Sequence, residues 1–334
     1  MRKKIYKILV TGGAGFIGSE FVRQLIDRGQ PQFKIIVVDK LTYAADLDRL
    51  NAVKGRFKFY KEDICNSSNV ASIIKKEKPD AIVNFAAETH VDRSIIDSDP
   101  FIETNIKGTK TLLDLSLKFG ISKFIQISTD EVYGDIKKGS FSEESPLLPN
   151  SPYSASKAAA DLLINAYIRT YKLPAIIIRL SNNYGPWQYP EKLIPLAALM
   201  AMANKKVPVY AKGQNVREWL YVADCARAII MIMEKGRIGE VYNIGSGQEK
   251  RNIEVVKSLL KGLNKPESLI EFVTDRPGHD FRYALNCEKL KKVLGWVPFF
   301  KFDEGLENTI NWLILNQHWL NKHSGKKLSI KFKK

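Results

Sequence analysis

The stretch VTGGAGFIGS, residues 10–19, follows the apolar run KILV and leads into the amphipathic pattern FIGSEFVRQLIDRG. Gly13, Gly15 and Gly18 fit G-x-G-x-x-G, while Gly12, Gly15 and Gly18 fit the wider G-x-x-G-x-x-G. Glycines so spaced allow a tight turn and let the backbone approach a pyrophosphate resting on the N-terminus of the next helix. Alone the pattern is weak, because Gly-rich turns are common. It gains weight from the strand before it, the helix after it and an acid closing the next strand. That acid is Asp39 in IIVVDK, 21 residues beyond Gly18. A carboxylate there accepts from adenosine ribose hydroxyls and repels a 2′-phosphate, so NAD is expected rather than NADP. The competing reading is a structural turn with a solvated Asp. Phe16, Ile17, Lys40 and Thr42 join the expected cofactor contacts, as do Asp63, Ile64, Phe85, Ala86 and Ala87 after the following strands.

Outward from this stretch, apolar runs of strand length alternate with helical patterns through the first 180 or so residues. KILVTG, KIIVVDK, AIVNFAA, KFIQIST and AIIIRLS are near-continuous apolar strands, as a parallel sheet covered on both faces requires. NIKGTKTLLDLSLKFG lies between two of them and ends on a glycine suited to closing a helix. Repeated β-α-β units give a doubly wound, mostly parallel α/β sheet of the Rossmann type. After residue 182 the texture changes to the loop-like NNYGPWQYPEKLIP and then to mixed helices. The expected organisation is a nucleotide-binding domain over 1–181 plus about 220–246, and a smaller mixed α/β substrate lobe over 182–219 and 247–320. A basic tail, 321–334, is expected to be disordered.

Composition bounds the partners. Hydrophobic content of 45% and charged content of 26% describe an ordinary globular protein. No apolar run approaches the roughly 18 residues of a membrane span. The opening MRKKIYKILV has a basic head and an apolar stretch like a signal peptide, but the glycines that follow have the explanation above. Cys65, Cys225 and Cys287 are odd in number and widely spaced, which points to a reducing cytoplasm, no disulfide framework and no metal site. Of the net charge of +16, ten come from Arg2, Lys3, Lys4, Lys7 and the six lysines of the tail. No aromatic-interleaved basic face or reader motif accompanies the charge, so nucleic acid is not expected as a partner. Attraction for small anions is the better inference.

Two further stretches carry chemistry. In YSASK, Tyr153 and Lys157 are spaced i, i+4 and share one helix face. A phenol with an ordinary pKa near 10 is a poor base at neutral pH, and a neighbouring ammonium and a nicotinamide cation would favour phenolate. Lowering it by about three units requires roughly 4 kcal/mol of differential stabilisation. In STDEVYG, Asp130 and Glu131 stand side by side just past an apolar strand, where they repel one another. Adjacent carboxylates can divide one proton between them, keeping one neutral near pH 7. The bland alternative is two solvated loop acids.

Together with AAETHVDRSI, TNIKGT, PYSASKAAAD, SNNYGPWQYPEKLIP, REWLYVADCARAI and DRPGHDFRYA, these motifs give a resemblance spanning nearly the whole chain. It resembles the extended short-chain dehydrogenase/reductases, and within them the dTDP-glucose 4,6-dehydratase family. The resemblance implies Tyr153 as base on the sugar O4, Thr129 holding the O4 region, and Lys157 on the nicotinamide ribose. It implies Glu131 as base at C5 and Asp130 as acid toward the C6 hydroxyl, with NAD taking hydride from C4 and returning it to C6. Thr104 and Asn183 would lie by the cofactor. Thr89, Asn182, Lys192, Leu193, Arg217, Asn252, Arg276 and His279 would line the nucleotide-sugar site, with Pro208 and Tyr210 bounding the base. Arg217 and Arg276 suit a diphosphate, which guanidinium binds bidentately. His90, Trp187, Trp219 and Trp296 are read as packing residues. A homodimer is expected from the family. The alternatives are a UDP-, CDP- or GDP-sugar dehydratase, a 4-epimerase, which has no need of the Asp130–Glu131 pair, and a catalytically inactive NAD-binding interaction module.

Overall fold

The apolar runs become strands β1 (Tyr6–Thr11), β2 (Phe33–Asp39), β3 (Phe57–Lys61), β4 (Ala81–Asn84), β5 (Lys123–Thr129) and β6 (Ala175–Leu180). β7 (Asn182–Tyr184), β8 (Val207–Tyr210), β9 (Val216–Tyr221), β10 (Val241–Ile244), β11 (Glu249–Arg251) and β12 (Ile270–Val273) follow. The computed structural model describes residues 6–28 and 33–324. Seven strands form one parallel sheet in the order β10-β6-β5-β4-β1-β2-β3. Successive residues of β1 feed opposite faces: Ile8 and Val10 enter one buried cluster, Leu9 the other. This two-sided burial is why the strands read as unbroken apolar runs.

The helices are α1 (Phe16–Asp27), α2 (Ser67–Glu77), α3 (Val91–Ile96), α4 (Asp99–Phe101), α5 (Thr109–Lys118) and α6 (Pro152–Tyr171). α7 (Leu193–Met202), α8 (Val222–Lys235), α9 (Asn252–Gly262), α10 (Glu288–Leu294), α11 (Phe302–Leu315) and α12 (Gln317–Ser324) complete the set. Residues of α1 and α8 pack in the first cluster, those of α2, α5 and α6 in the second. Just before α5 the chain widens into a π-helical turn, Ile102–Gly108. A side chain at Gly108 would meet Ile64 at 2.6 Å, so that turn sits tight against the end of β3.

A third apolar cluster lies beside the small sheets β11-β9-β7 and β12-β8. It is aromatic: Tyr184, Trp219, Tyr221, Phe302 and Trp319 are all buried there. Trp219 and Trp296 are core residues as expected, and Trp187 packs on the aromatic cluster. The tail corrects one expectation. Residues 321–324 continue α12 rather than being disordered, because Trp319 and Leu320 anchor the helix in this third core and His323 binds Asp46. Residues 325–334, with the rest of the expected basic tail, lie outside the described residues, as do Arg2, Lys3 and Lys4.

Candidate active site

The strand order reverses between β1 and β4, and open α/β sheets bind ligands outside the strand C-termini at such a switch. A crevice of about 300 Å³ lies there. Its wall is made by residues that follow β1 (Gly12, Gly15, Phe16, Ile17, Gly18), β2 (Asp39, Lys40, Thr42), β3 (Asp63, Ile64) and β4 (Phe85, Ala86, Ala87). Gly12 has φ +65°, and a Cβ there would stand 2.5 Å from the Ala86 nitrogen. A Cβ at Gly18 would stand 2.4 Å from the Gly12 carbonyl, so the glycines allow helix, turn and neighbouring strand to close together. Asp39 accepts from the N–H groups of Ala14 at 3.0 Å and Leu41 at 2.8 Å. Burial pushes its pKa up against those bonds. Lys40 reaches Asp63 and Thr104, both at 3.3 Å, and Thr104 joins the wall from the π-helical turn. Asn183 completes the expected cofactor set in the same crevice. Ser181 Oγ, Asn182 Oδ1 and Gln188 Oε1 line it without a hydrogen-bond partner in the protein. A cradle with no room for side chains and polar atoms left to be satisfied fits a dinucleotide.

The expected reacting groups lie at the end of β5 and the start of α6. β5 delivers Thr129, whose Oγ1 accepts from the Glu131 N–H at 3.2 Å and caps a 3₁₀ turn, Asp130–Tyr133. Both acids therefore face the crevice at a fixed angle to the strand. α6 begins with Pro152 and a reciprocal Ser151–Ser154 capping box, which sets the register of Tyr153 and Lys157. Thr129 is near enough to Tyr153 to favour its phenolate, and Lys157 donates to the Ile127 carbonyl at 2.6 Å. Thr129, Asp130, Glu131, Tyr153 and Lys157 thus share one crevice with the cofactor wall.

The electrostatics separate the two acids. Asp130 is 2% exposed, and burial, then the charges of Glu131 and Glu218, hold its carboxyl well above the usual range. Burial also raises Glu131, but Arg276, Arg217 and Lys192 all pull it back. Burial and neighbouring carboxylates thus disfavour the Asp130 anion, while Glu131 is the acid faced by cations. For Tyr153 the expectation is reversed in the protein alone. Burial, then the charge of Glu131, pushes the phenol up, because the Lys157 ammonium is turned to Ile127. Burial brings Lys157 down to about 8, opposed by Asp161 one turn along α6.

The expected substrate residues divide. Thr89, Thr129, Asn182 and Lys192 line the crevice. Leu193, Pro208, Tyr210, Arg217 and Asn252 do not, lying in elements from α7 onward, nor do Arg276 and His279, in the loop between β12 and α10. Arg276 binds Asp92 at 2.9 Å, Tyr210 OH donates to Asp92 at 3.3 Å, and His279 lies beside Tyr210. Arg217 is buried over the Tyr283 ring at 4.4 Å, and its charge, like that of Arg276, reaches Glu131. Asn252 opens α9 and keeps Oδ1 without a partner. Leu193 opens α7 and packs on the third core, while Pro208 sits in β8 opposite Glu271. His90 is largely buried, 3.7 Å from Glu191, with its pKa lowered to about 3 by burial and Lys192.

Residues not singled out from sequence also meet here. Ser128, Ser181, Gln188, Tyr189 and Glu191 line the crevice. The two serines lie where strands β5 and β6 end, a position that flags them, whereas nothing local marks Glu191. Asp92 was within the THVDRS stretch but carries no local signal for its partner, 184 residues away.

Comparison with known proteins agrees with this geometry. The family model described as GDP-mannose 4,6 dehydratase matches residues 9–309. A dTDP-glucose 4,6-dehydratase of Escherichia coli is 47% identical, the match covering 94% of this chain and 95% of that protein. The crystal structure of the dTDP-glucose 4,6-dehydratase of Bacillus anthracis in complex with NAD is 48% identical with TM-score 0.89, covering 96% of this chain and 100% of that one. That of Streptomyces venezuelae, with NAD and TYD bound, is 46% identical with TM-score 0.93, covering 95% and 100%. With its fingerprint, Tyr153–Lys157 pair and paired acids in one crevice, the chain belongs to the dTDP-glucose 4,6-dehydratase family of extended short-chain dehydrogenase/reductases.

Proposed function

We propose that the protein is a hydro-lyase that dehydrates dTDP-glucose to dTDP-4-keto-6-deoxyglucose with a tightly held NAD. One observation carries this reading: two adjacent carboxyl groups, one raised by burial and like charge and one faced by cations, share the crevice with Tyr153. An epimerase needs no such pair, and an inactive NAD-binding module needs neither the pair nor Tyr153. Gly12, Gly15, Gly18, Asp39 and the rest of the wall would hold the cofactor, with Lys157 and Asn183 toward the nicotinamide end. When bound, NAD supplies the hydride acceptor for C4 and afterwards the donor for C6.

Tyr153, positioned by Thr129, takes the proton of the O4 hydroxyl; cationic charge at the nicotinamide offsets the burial and the Glu131 charge that hold its proton. The resulting 4-ketone acidifies the C5 hydrogen, which Glu131 removes. Asp130 gives its proton to the departing C6 hydroxyl, which leaves as water, and a C5–C6 double bond forms. Glu131 returns a proton to C5 once C6 is reduced, and the proton first taken by Tyr153 balances the one lost in water. Arg217, Arg276 and Asn252 bind the diphosphate in this reading, with Tyr210, His279 and Pro208 around the base and Thr89, Asn182, Lys192 and Leu193 nearer the sugar.

The two-lobe division expected from sequence stays part of the proposal, since β10 joins the large sheet while β7, β9 and β11 form another. So does pairing of two copies through the helices of the nucleotide domain; Leu162 on α6 is 59% exposed. Three free cysteines fit a reducing cytoplasm. Among the described residues no helix is long and apolar enough to cross a membrane. The test is incubation with dTDP-glucose in heavy water. The product should lose one water, carry solvent deuterium at C5, and receive at C6 a deuterium placed initially at C4. A product that keeps its C6 oxygen refutes the assignment.

A further inference from the structure

The C-terminal helix lines none of the crevice, yet it is bonded to both of its sides. One side is the loop after β2, where Thr42, Ala44 and Ala45 line the cavity, and the other includes Gln188, Tyr189 and Glu191. Asp46 ends the first loop. Its Oδ2 accepts from Trp319 Nε1 at 2.9 Å and lies 2.7 Å from His323 Nε2. Its Oδ1 accepts from the Asp48 N–H, and its own N–H donates to the Ala14 carbonyl at 3.0 Å, within the Gly-rich turn. Lys322 adds a second tie, to Asp48 at 3.0 Å.

The same helix grips the opposite side. The Trp319 ring packs on Trp187 at 5.3 Å, and His323 on Tyr189 at 5.5 Å. Trp187 is held at φ +70°, a conformation a bulky residue keeps only where its surroundings impose it. Arg49, 1% exposed, donates to the carbonyls of Ala14, Ala44 and Trp187 and lies over the Trp319 ring at 5.2 Å. Tyr43 OH donates directly across to Glu191 at 2.9 Å.

We propose that α12 is a brace that retains the cofactor, with Trp319 and His323 as positioning residues that tie Asp46 to the far side of the crevice. The proposal rests on the dinucleotide reading of that crevice. Burial of Trp319 and Leu320 would serve core packing alone. It does not call for an indole N–H and an imidazole converging on one carboxylate oxygen. Burial pushes the Asp46 carboxyl up, but the Asp48 N–H, His323 and Trp319 outweigh it and hold the group below its usual value. The acceptor is therefore an anion, and such bonds are about twice as strong as neutral ones. For a bound dinucleotide to leave, the loop at residues 42–46 and the segment at 187–191 must part, and the brace opposes that. A reaction that removes and later returns the same hydride gains from this, because a cofactor lost midway strands an oxidised sugar.

The test uses the full chain loaded with NADH, whose fluorescence decay on chasing with excess NAD gives the release rate. Trp319→Phe combined with His323→Ala should release the cofactor about tenfold faster. His323→Gln, which restores an N–H toward Asp46, should recover much of the retention. Trp312→Phe changes the same aromatic cluster, 5.6 Å from Trp319, without touching Asp46, and should release at the wild-type rate. Thermal unfolding of each variant checks that it is folded. Wild-type release from the folded double variant, or equal acceleration by Trp312→Phe, overturns the brace. A wild-type chain that binds no nicotinamide cofactor overturns the crevice reading itself.

Discussion

Replacing Asp161 by Asn should move the alkaline limb of the pH–rate profile down by about two units, through Lys157. Asp161 is fully buried on α6, one turn beyond Lys157, with Oδ2 accepting from Arg179 Nε at 3.0 Å. It is the charge that opposes burial at Lys157, which titrates at about 8 with that anion present. Side chains one helical turn apart lie roughly 6 Å apart at Cβ, and at an effective dielectric constant of about 20 the attraction is roughly 3 kcal/mol. Losing it lowers the lysine by about two units, to roughly 6. A lysine with a depressed pKa keeps its charge only below that value, so activity depending on the ammonium is lost as pH rises through it. At pH 7.5 the charged fraction falls roughly 25-fold, while at pH 5 the two enzymes should differ little. The assay is kcat/KM against pH, which reports groups of the enzyme before the sugar binds. The single variant also leaves Arg179 buried and unpaired, at a cost of about 3–5 kcal/mol in stability. Asp161→Asn with Arg179→Met removes both charges and tests Lys157 in a better-satisfied fold. A uniform loss of activity at every pH would mean structural damage only, and an unmoved alkaline limb would refute the coupling.

Two other outcomes follow from the same geometry. Glu131→Gln should still oxidise C4, seen as cofactor reduction in a single turnover, but slow elimination by at least about a hundredfold; full activity would remove Glu131 from the mechanism. Gly12→Ala, at φ +65° with its new Cβ 2.5 Å from the Ala86 nitrogen, should lower cofactor content in the purified protein by well over tenfold; undiminished NAD in that variant would show that the turn can relax.

Much of this protein was legible locally. The two-sided burial of β1, the glycine turn, Asp39 at the end of β2 and the capped start of α6 each depend on residues close in sequence. Periodicity and dihedral requirements are properties of short segments, so the sequence by itself determined the parallel sheet, the glycine turn and the local pairs Asp130–Glu131 and Tyr153–Lys157. The family resemblance supplied their separate roles.

What tertiary structure decided is of another kind. The difference between the two acids comes from Glu218, which raises Asp130, and from Arg217 and Arg276, which pull Glu131 back, groups that only folding brings near. The direction of the Tyr153 shift depends on how deeply it is buried and on where Lys157 turns, and the sequence reading of Lys157 as its partner missed both. The pairing of Asp92 with Arg276 spans 184 residues, and that of Trp319 with Asp46 spans 273. Desolvation and long-range charge are set by everything packed around a group, not by its neighbours in the chain. For that reason candidate residues such as Asp130, Glu131, Tyr153 and Lys157 could be nominated from the sequence, whereas their electrostatic surroundings and the bracing helix became visible only in the fold.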